Sequence, residues 1–439
     1  MRDALSRAMR STAVGVGVAL VLAPYLAMNA MSAFPYQIGI DFYQFWGVPV
    51  AKKAAAMQQS PYVDPPAYAR VLNGISDASN SDKLHHANAF RRNLEPMGTP
   101  FLYASFSVFP EDYDRAQWLF TLAIYVAAGL GVFALAWLRG VPAWPAVWIA
   151  IAVELTFTPF MIDVKVGNVN SLQLAFIAAL LYLALRWAQS GNSLVDGFFL
   201  GLLALFVIFK PNTPWIALAL GIHYWVAGGH RRFAIGAGVA AAFALLAFAI
   251  GAVYFKDALV WGEWLQLARG MDGSGLPLTL ANGNQSLTML LADKTRAYGA
   301  VGYGLIIAVS LCVALVVAMS AGGRRVDLLV PGMRQAFSNP WFAASIGILF
   351  TFATSPLLWP HYLVLALVPI FWLFDGKPDA GTWCAAICYF GMSRPVIDFL
   401  ISGGHRALLE ADTIFAWVVL VPGVFAYVLR QRRALEAPA

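Results

Sequence analysis

Stretches of mostly apolar residues recur along nearly the whole chain, and this pattern limits the possible folds more than any other feature. Most of them are long enough, as helices, to cross a hydrocarbon core of about 30 Å. Of the 439 residues, 60% are hydrophobic and 12% are charged, whereas a typical soluble domain has about 25% charged residues. The sequence therefore predicts an all-α polytopic membrane protein, with residues 1–439 forming a single transmembrane domain.

The apolar pattern predicts about twelve transmembrane helices, near residues 11–31, 116–138, 143–162, 171–188, 194–209, 213–228, 233–254, 298–320, 341–355, 359–375, 380–394 and 412–429. Arginine and lysine recur at alternate connections, so the positive-inside rule places these connections and both termini in the cytoplasm. Residues 1–32 have features of a cleaved signal peptide, but the apolar run is longer than a usual signal core. An uncleaved first helix is therefore favoured, and cleavage stays open.

Two connections predicted to lie outside the membrane are long, namely residues 32–115 and 255–297. Within the first, the stretches 42–57 and 64–72 suit short helices lying on the membrane. Loops of this length in a compact protein usually carry function, so we expect both to contribute to an active site.

The composition argues against several other classes of protein. The net charge of +6 fits basic loops facing an anionic leaflet, and no basic run interleaved with aromatics indicates a nucleic-acid partner. The three cysteines lie in apolar segments without accompanying histidines, and no glycine-rich phosphate loop is present. We therefore predict no metal and no cofactor.

Polar residues concentrate on the predicted outer face of the bundle. Asp41 follows the first span, and later outer connections carry Lys165, Asn168, Asn170, Lys210, Asn284, Gln285, Trp359 and His361. Each has an ordinary explanation as a solvated acid, a snorkelling lysine, a helix cap or an interface aromatic. Their co-location beside long loops favours a shared site.

An acid with cationic neighbours suits sugar transfer from a lipid phosphate. Asp41 would act as the general base on an acceptor hydroxyl, which attacks the anomeric carbon and inverts it. Lys210 and His361, with Lys165 in reserve, would stabilise the departing polyprenyl phosphate.

Six short motifs resemble, in order, those of glycosyltransferase family 87 in the membrane-embedded C-type superfamily, whose bacterial members include mannosyltransferases. They are Asp41-Phe42-Tyr43, Ser60-Pro61-Tyr62, Val166-Gly167-Asn168-Val169-Asn170, Phe209-Lys210-Pro211, Gly283-Asn284-Gln285-Ser286-Leu287 and Ser355-Pro356-Leu357-Leu358-Trp359-Pro360-His361. The resemblance implies a C-type bundle with a long first outer loop. It further implies transfer of a mannose-like or other hexose from a polyprenyl-phosphate donor to a lipid or polysaccharide acceptor, outside a bacterial cytoplasmic (inner) membrane.

By the same resemblance, Asp41 is the base, and Lys210 and His361 contact the donor phosphate. The substrate-binding residues expected at the matching motifs are Tyr43, Asn168, Asn170, Asn284, Gln285 and Trp359.

Two other functions stay open. A lipid or glycan transporter, or flippase, would place ionisable groups near the membrane midplane, where Glu154 is the main example here, and would often show repeated halves. A glycan ligase acting on a diphosphate carrier would share the outer site but would need more arginines. The outer loops offer Arg70, Arg91, Arg92, Arg115 and Arg269.

Overall fold

A computed structural model describes residues 39–186, 193–270, 286–287, 334–355, 357–403 and 414–436, together with four single positions between 304 and 310. These residues are helical, with turns between the helices and no β-strand, and one isolated bridge joins Phe157 to Ser393. The prediction of an all-α fold is confirmed for this part of the chain.

Four short helices come first, where the sequence predicts an outer loop. They are α1 (Ile40–Ala54), α2 (Pro65–Asp77), α3 (Asp82–Phe90) and α4 (Pro100–Phe106). Side-chain oxygens of Asp64, Ser81 and Thr99 cap the starts of α2, α3 and α4 by accepting backbone N–H bonds. The expected helices in this loop are therefore present. However, α1 is buried continuously from Phe42 to Ala51, so its neighbours enclose it on all sides.

The apolar helices follow. They are α5 (Tyr113–Leu138), α6 (Ala143–Thr156), α7 (Thr158–Val166), α8 (Asn170–Arg186), α9 (Ser193–Phe209), α10 (Pro214–Phe255), α11 (Val260–Gly270), α12 (Pro340–Thr354), a 3₁₀ helix (Pro360–Ala366), α13 (Leu367–Leu373), α14 (Ala380–Gly391), α15 (Arg394–Ser402) and α16 (Leu420–Glu436).

Two of these helices, α5 and α10, are long and apolar enough to cross a membrane, while several others are apolar but shorter. The predicted span 143–162 is divided because Phe157 is extended (φ −88°, ψ 103°) between α6 and α7. The spans predicted near 11–31 and 298–320 fall outside the continuously described ranges. The number of twelve spans stays a prediction.

Helix α10 consists of two arms that meet at Gly229. Its φ of 75° with a ψ of 172° is a conformation essentially restricted to glycine, and it breaks the helix. Gly221 in the first arm lies against Leu203, and Phe243 in the second lies against Gly201, so both arms pack on α9. The two arms run along α9 in opposite directions, so they are antiparallel and form a hairpin. This hairpin returns the chain to the end of α9 where Lys210 lies.

A cluster of aromatic rings holds the start of α1. Phe42 stacks on Phe120 of α5 with ring centroids 4.9 Å apart, and it also contacts Phe106, Phe109 and Tyr113. Aromatic pairs at such distances add packing energy beyond the burial of their area. Asp41 precedes Phe42, so this cluster fixes the backbone that carries the predicted base.

Candidate active site

Two glycines bring Asp41 to the connection between α7 and α8. Gly39 precedes α1 with a φ of 63°, and Gly167 ends α7 with a φ of 70°. The Gly39 N–H donates to the Lys165 carbonyl at 3.1 Å, and a Cβ on Gly167 would lie 2.6 Å from the Phe42 Cβ. Only glycine gives both the left-handed backbone and this close approach. The contact sets Asp41 beside Asn168.

The side-chain amide of Asn168 joins the polar groups of the site. Its Nδ2 donates to Asp41 Oδ2 at 2.7 Å and lies 3.2 Å from His361 Nε2. Its Oδ1 accepts from Lys210 Nζ at 2.6 Å and from the Val169 N–H at 2.7 Å. The two Oδ1 contacts are with donors, so the orientation of the amide is fixed by its partners. One amide group therefore separates the carboxylate from the ammonium.

His361 is buried at the start of the 3₁₀ helix. Its Nε2 lies 3.8 Å from Asp41 Oδ2 and faces Asn168 Nδ2. An amide nitrogen only donates, so Nε2 accepts in this contact and the ring proton belongs on Nδ1. In this arrangement His361 is neutral and orients the amide and the carboxylate.

Lys210 follows α9 and points back into the site. Besides Asn168, its Nζ reaches Asn170 Oδ1 at 3.3 Å and lies 4.7 Å from the centre of the Tyr362 ring. Burial lowers the pKa of Lys210 to about 8, although the carboxylates of Asp163 and Asp41 oppose this shift. Lys210 is therefore a cation at neutral pH that deprotonates at mildly alkaline pH.

Asp163 builds the loop that presents Asn168 and Asn170. Its carboxylate is fully buried and accepts from Asn170 Nδ2 at 2.9 Å and from the Ser171 N–H and Oγ at 2.9 and 2.6 Å. Its carbonyl also accepts from the backbone N–H groups of Gly167 and Asn168. An acid at the N-terminus of α8 is favoured by the helix dipole. Asp163 was not among the site residues predicted from the sequence.

Arg91, at the end of α3, forms an ion pair with Asp41, with Nη2 2.9 Å from Oδ1. Its Nη1 lies 3.3 Å from Glu95 Oε2, and its Nε lies 2.9 Å from the side-chain amide oxygen of Gln44 when that amide is oriented to suit its partners. The guanidinium is thus held on three sides. Sequence reasoning named Arg91 only as an outer-loop arginine, because nothing local to it indicates that α3 packs on α1.

Burial raises the pKa of the Asp41 carboxyl. The charge that His361 gains in acid, where carboxyls titrate, together with the Arg91 guanidinium, the Asn168 N–H and the Lys210 ammonium, outweighs burial, so the pKa of Asp41 lies below its usual value. Asp41 is therefore ionised at neutral pH, as a general base must be.

These groups line one cavity of about 120 Å³. The lining brings together Asp41, Asn168, Lys210, Trp359 and His361 from the predicted site, and adds Gln44, Phe45, Arg91, Glu95, Met97, Gly98, Leu102, Pro211, Leu357 and Tyr362. The cavity is large enough to hold several water molecules.

Other predicted site residues lie elsewhere. Lys165 is exposed and does not line the cavity. Tyr43 is buried on another face of α1, where its hydroxyl donates to Asn88 Oδ1 at 2.7 Å. Asn170 lies behind the lining, between Lys210 and Asp163. Asn284 and Gln285 lie outside the described residues.

The comparisons with known proteins identify the family. The model of glycosyltransferase family 87 matches residues 94–356, well over half of the chain. The chain belongs to glycosyltransferase family 87. The resemblance stated from the motifs is thereby confirmed, and the match includes Asn168, Asn170 and Lys210 but ends before Trp359 and His361 and begins after Asp41. Comparison with curated proteins and with solved structures gave no match.

Proposed function

We propose that this family 87 member transfers a hexose, mannose or a similar sugar, from a polyprenyl-phosphate donor to a hydroxyl of a lipid or polysaccharide acceptor. The observation that carries the proposal is the single cavity in which a carboxylate, Asp41, and an ammonium, Lys210, are separated by one amide. A sugar bridging these two groups would present its anomeric carbon between a base and a cation. The site would lie outside the cytoplasmic membrane of a bacterium.

In the proposed step, Asp41 accepts the proton of the acceptor hydroxyl as its oxygen forms a bond to the anomeric carbon. The bond from that carbon to the phosphate oxygen breaks, and the polyprenyl phosphate departs with one additional negative charge. Lys210 stabilises this charge. Direct displacement inverts the anomeric carbon, as expected when one carboxylate serves as the base.

The cations around the cavity favour a monophosphate carrier over the diphosphate carrier of a glycan ligase. Among the described lining residues, Arg91 is the one arginine, and it already pairs with Asp41 and Glu95. Lys210 is left as the cation facing the phosphate. One ammonium suits a group that leaves with two negative charges better than it suits a diphosphate.

An apolar groove supports a lipid-linked donor. The groove, of about 400 Å³, lies between α9 and the two arms of α10 and is lined almost entirely by carbon. Val207 and Ala217 form part of its wall close to Lys210 along the chain, and Phe233 lies in the second arm. A polyprenyl tail would occupy this groove with its phosphate at Lys210.

The test uses Asp41→Asn and Lys210→Ala in the purified full-length protein, with a polyprenyl-phosphate hexose and extracted lipid acceptors. We expect Asp41→Asn to bind the donor while transfer falls at least about 100-fold, the usual size of a lost general base. Lys210→Ala should weaken donor binding about tenfold or more, since a charge-assisted contact to phosphate is lost.

The matched control is Asp77→Asn, which alters an exposed acid at the end of α2. Near wild-type transfer by Asp41→Asn would remove Asp41 from the reaction. Equal affinity of the wild type and Lys210→Ala for the donor would move the phosphate away from Lys210.

A further inference from the structure

A second and larger cavity, here called the lysine cavity, lies at the opposite end of α1 from Asp41. It has a volume of about 440 Å³ and is lined by Lys52, Lys53 and Lys256, with Glu111, Tyr254 and Phe255 among the other residues. The eleven residues from Asp41 to Lys52 span about 16 Å of helix, so the two cavities are separate sites. None of the six motifs of the sequence analysis includes these lysines.

The fold places the lysine cavity on the same side of the bundle as the candidate active site. The hairpin of α10 starts near Lys210 and returns along α9, and Phe255 ends its second arm. The second arm runs alongside α9 with Gly201 against Phe243, and in this register Phe255 lies about one helical turn beyond the level of Lys210. The lysine cavity therefore lies at the end of a long apolar helix.

The lining of the lysine cavity carries more positive than negative charge. Three ammonium groups face one carboxylate, because Glu111 pairs with Lys53 alone. Lys256 is exposed and forms no salt bridge within the described part of the chain. Burial lowers the pKa of Lys52, and the charge of the neighbouring Lys256 lowers it further. Like charges held this close attract an anion.

Two residues with a strained backbone also line the lysine cavity. Among the described residues, Ala56 and Lys256 are the two non-glycine residues with positive φ, 46° and 53°, and both line the lysine cavity. Lys256 follows the last turn of α10, a position where glycine is usual because the left-handed backbone strains a side chain. The strain therefore falls on a charged residue that lines the lysine cavity.

The opposite wall of the lysine cavity is apolar and contains Pro49, Val50, Phe109, Tyr254 and Phe255. A basic wall beside an apolar wall, at the end of an apolar helix, suits a molecule with an anionic head and a hydrocarbon tail. We propose that the lysine cavity binds the phosphate group of an anionic amphiphile at the membrane surface. The amphiphile is either a phospholipid of the surrounding leaflet or the acceptor itself, and the latter source rests on the proposed function.

The test measures binding of dihexanoyl phosphatidylglycerol, against dihexanoyl phosphatidylcholine, to the full-length protein in neutral detergent. We expect tighter binding of the anionic lipid, and about fivefold weaker binding by Lys256→Gly, because one lysine near an anionic headgroup contributes about 1 kcal/mol. Lys256→Gly also removes the strained conformation, so its melting temperature should equal or exceed that of the wild type. Loss of binding from a more stable protein separates a ligand site from a structural role.

Three variants serve as controls. Lys256→Arg should keep the binding, Lys377→Gln changes an exposed lysine outside the cavity, and Lys210→Ala should leave this binding unchanged while it weakens donor binding. Lys52 is left intact because it donates to the carbonyl of Met57 in the turn after α1 and to that of Phe255 at the end of α10, and so has a structural role.

Equal binding of the two lipids, or unchanged binding by Lys256→Gly, would overturn the proposal. Either result would leave transfer by Asp41 untouched, so the two proposals fail separately. If the binding is confirmed, a raised KM of Lys256→Gly for the lipid acceptor would identify the amphiphile as the acceptor. An unchanged KM would identify a leaflet phospholipid.

Discussion

At the scale of single residues, Asn168 is the side chain on which the arrangement of the site depends. Its amide donates to Asp41 and accepts from Lys210, so it sets both the orientation of the Asp41 carboxylate and its distance from the Lys210 ammonium. An amide fits this position because it has donors on one side and an acceptor on the other. A carboxylate has acceptors alone and would repel Asp41.

Asn168→Asp therefore tests the electrostatics of the site. The added carboxylate should raise the pKa of Asp41 through like-charge repulsion and raise that of Lys210 through attraction. Both limbs of the pH profile of kcat/KM should move to higher pH, by about one unit or more. Asn168→Ala is the uncharged control and should lower kcat with a smaller displacement of the limbs. Unmoved limbs in Asn168→Asp would contradict the contact.

Lys210 leads to a second pH prediction. Its pKa, lowered by burial to about 8, means that the ammonium is present below that pH and is lost as the pH rises through it. We expect kcat/KM for the donor to fall above about pH 8, since kcat/KM reports the free enzyme. Lys210→Arg keeps its charge at every accessible pH and should abolish this alkaline limb even if the absolute rate is lower. An alkaline limb that persists in Lys210→Arg would belong to another group.

At the scale of elements, the site depends on the contact between the start of α1 and the end of α7. Gly39 and Gly167 lie in close contact, and a Cβ added to Gly167 would clash with Phe42. The polar residues of the site therefore rely on backbone packing behind them, which no substitution of the polar residues themselves would reveal.

Gly167→Ala should destabilise the protein more than Gly140→Ala. Both glycines have a left-handed backbone, which costs about 1–2 kcal/mol for alanine, but a Cβ on Gly140 meets nothing within 4 Å. Overpacking against Phe42 should add about 1–3 kcal/mol at Gly167. Thermal unfolding in detergent would measure the difference, and transfer should fall in Gly167→Ala alone. Equal melting temperatures of the two variants would show that the contact is easily relaxed.

Helical periodicity explains which site residues the sequence could identify. Residues three and four apart share a helix face, so Gln44 and Phe45 line the cavity with Asp41, whereas Tyr43 points elsewhere. The same rule separates the exposed Lys165 from the buried Asp163, two positions earlier. Neither distinction follows from the predicted boundaries, because the predicted helix began at residue 42, after Asp41, and the predicted span ended at residue 162, before Asp163.

Other features depend on packing that sequence alone does not reveal. Arg91 reaches Asp41 across 50 residues of the chain, because α3 packs on α1. No periodicity or motif encodes this contact. By contrast, the alternation of basic and polar connections led the sequence analysis to group Asp41, Lys210 and His361. These three residues line one cavity in the structure.

At the scale of the whole molecule, a buried ion pair closes the hairpin of α10 onto α9. Arg232 holds the fully buried Asp196 with its Nε and Nη2 at 2.7 and 2.9 Å from the two carboxylate oxygens. Asp196 lies in the first turn of α9, and Arg232 lies in the first turn of the second arm, after the break at Gly229. The pair therefore fixes the end of the hairpin far from Lys210.

Arg232→Met should lower stability by about 3 kcal/mol or more, because it leaves a buried carboxylate without its partner. The double variant with Asp196→Leu removes both charges and should regain most of the lost stability. Melting temperatures of the single and double variants test this ordering. A double variant no more stable than Arg232→Met would show that the ion pair itself stabilises the hairpin.

The amide between Asp41 and Lys210 has a consequence for how turnover responds to salt. During the proposed transfer Asp41 gains a proton and the departing phosphate gains a negative charge, so the site shifts charge along one short axis and its total is conserved. Bulk ions screen the attraction between charged partners before they bind, but they screen the movement of charge inside a half-buried cavity much less. Raising the ionic strength should therefore increase the KM for an anionic donor and leave kcat nearly constant. Steady-state kinetics at two salt concentrations would show this difference between the two constants.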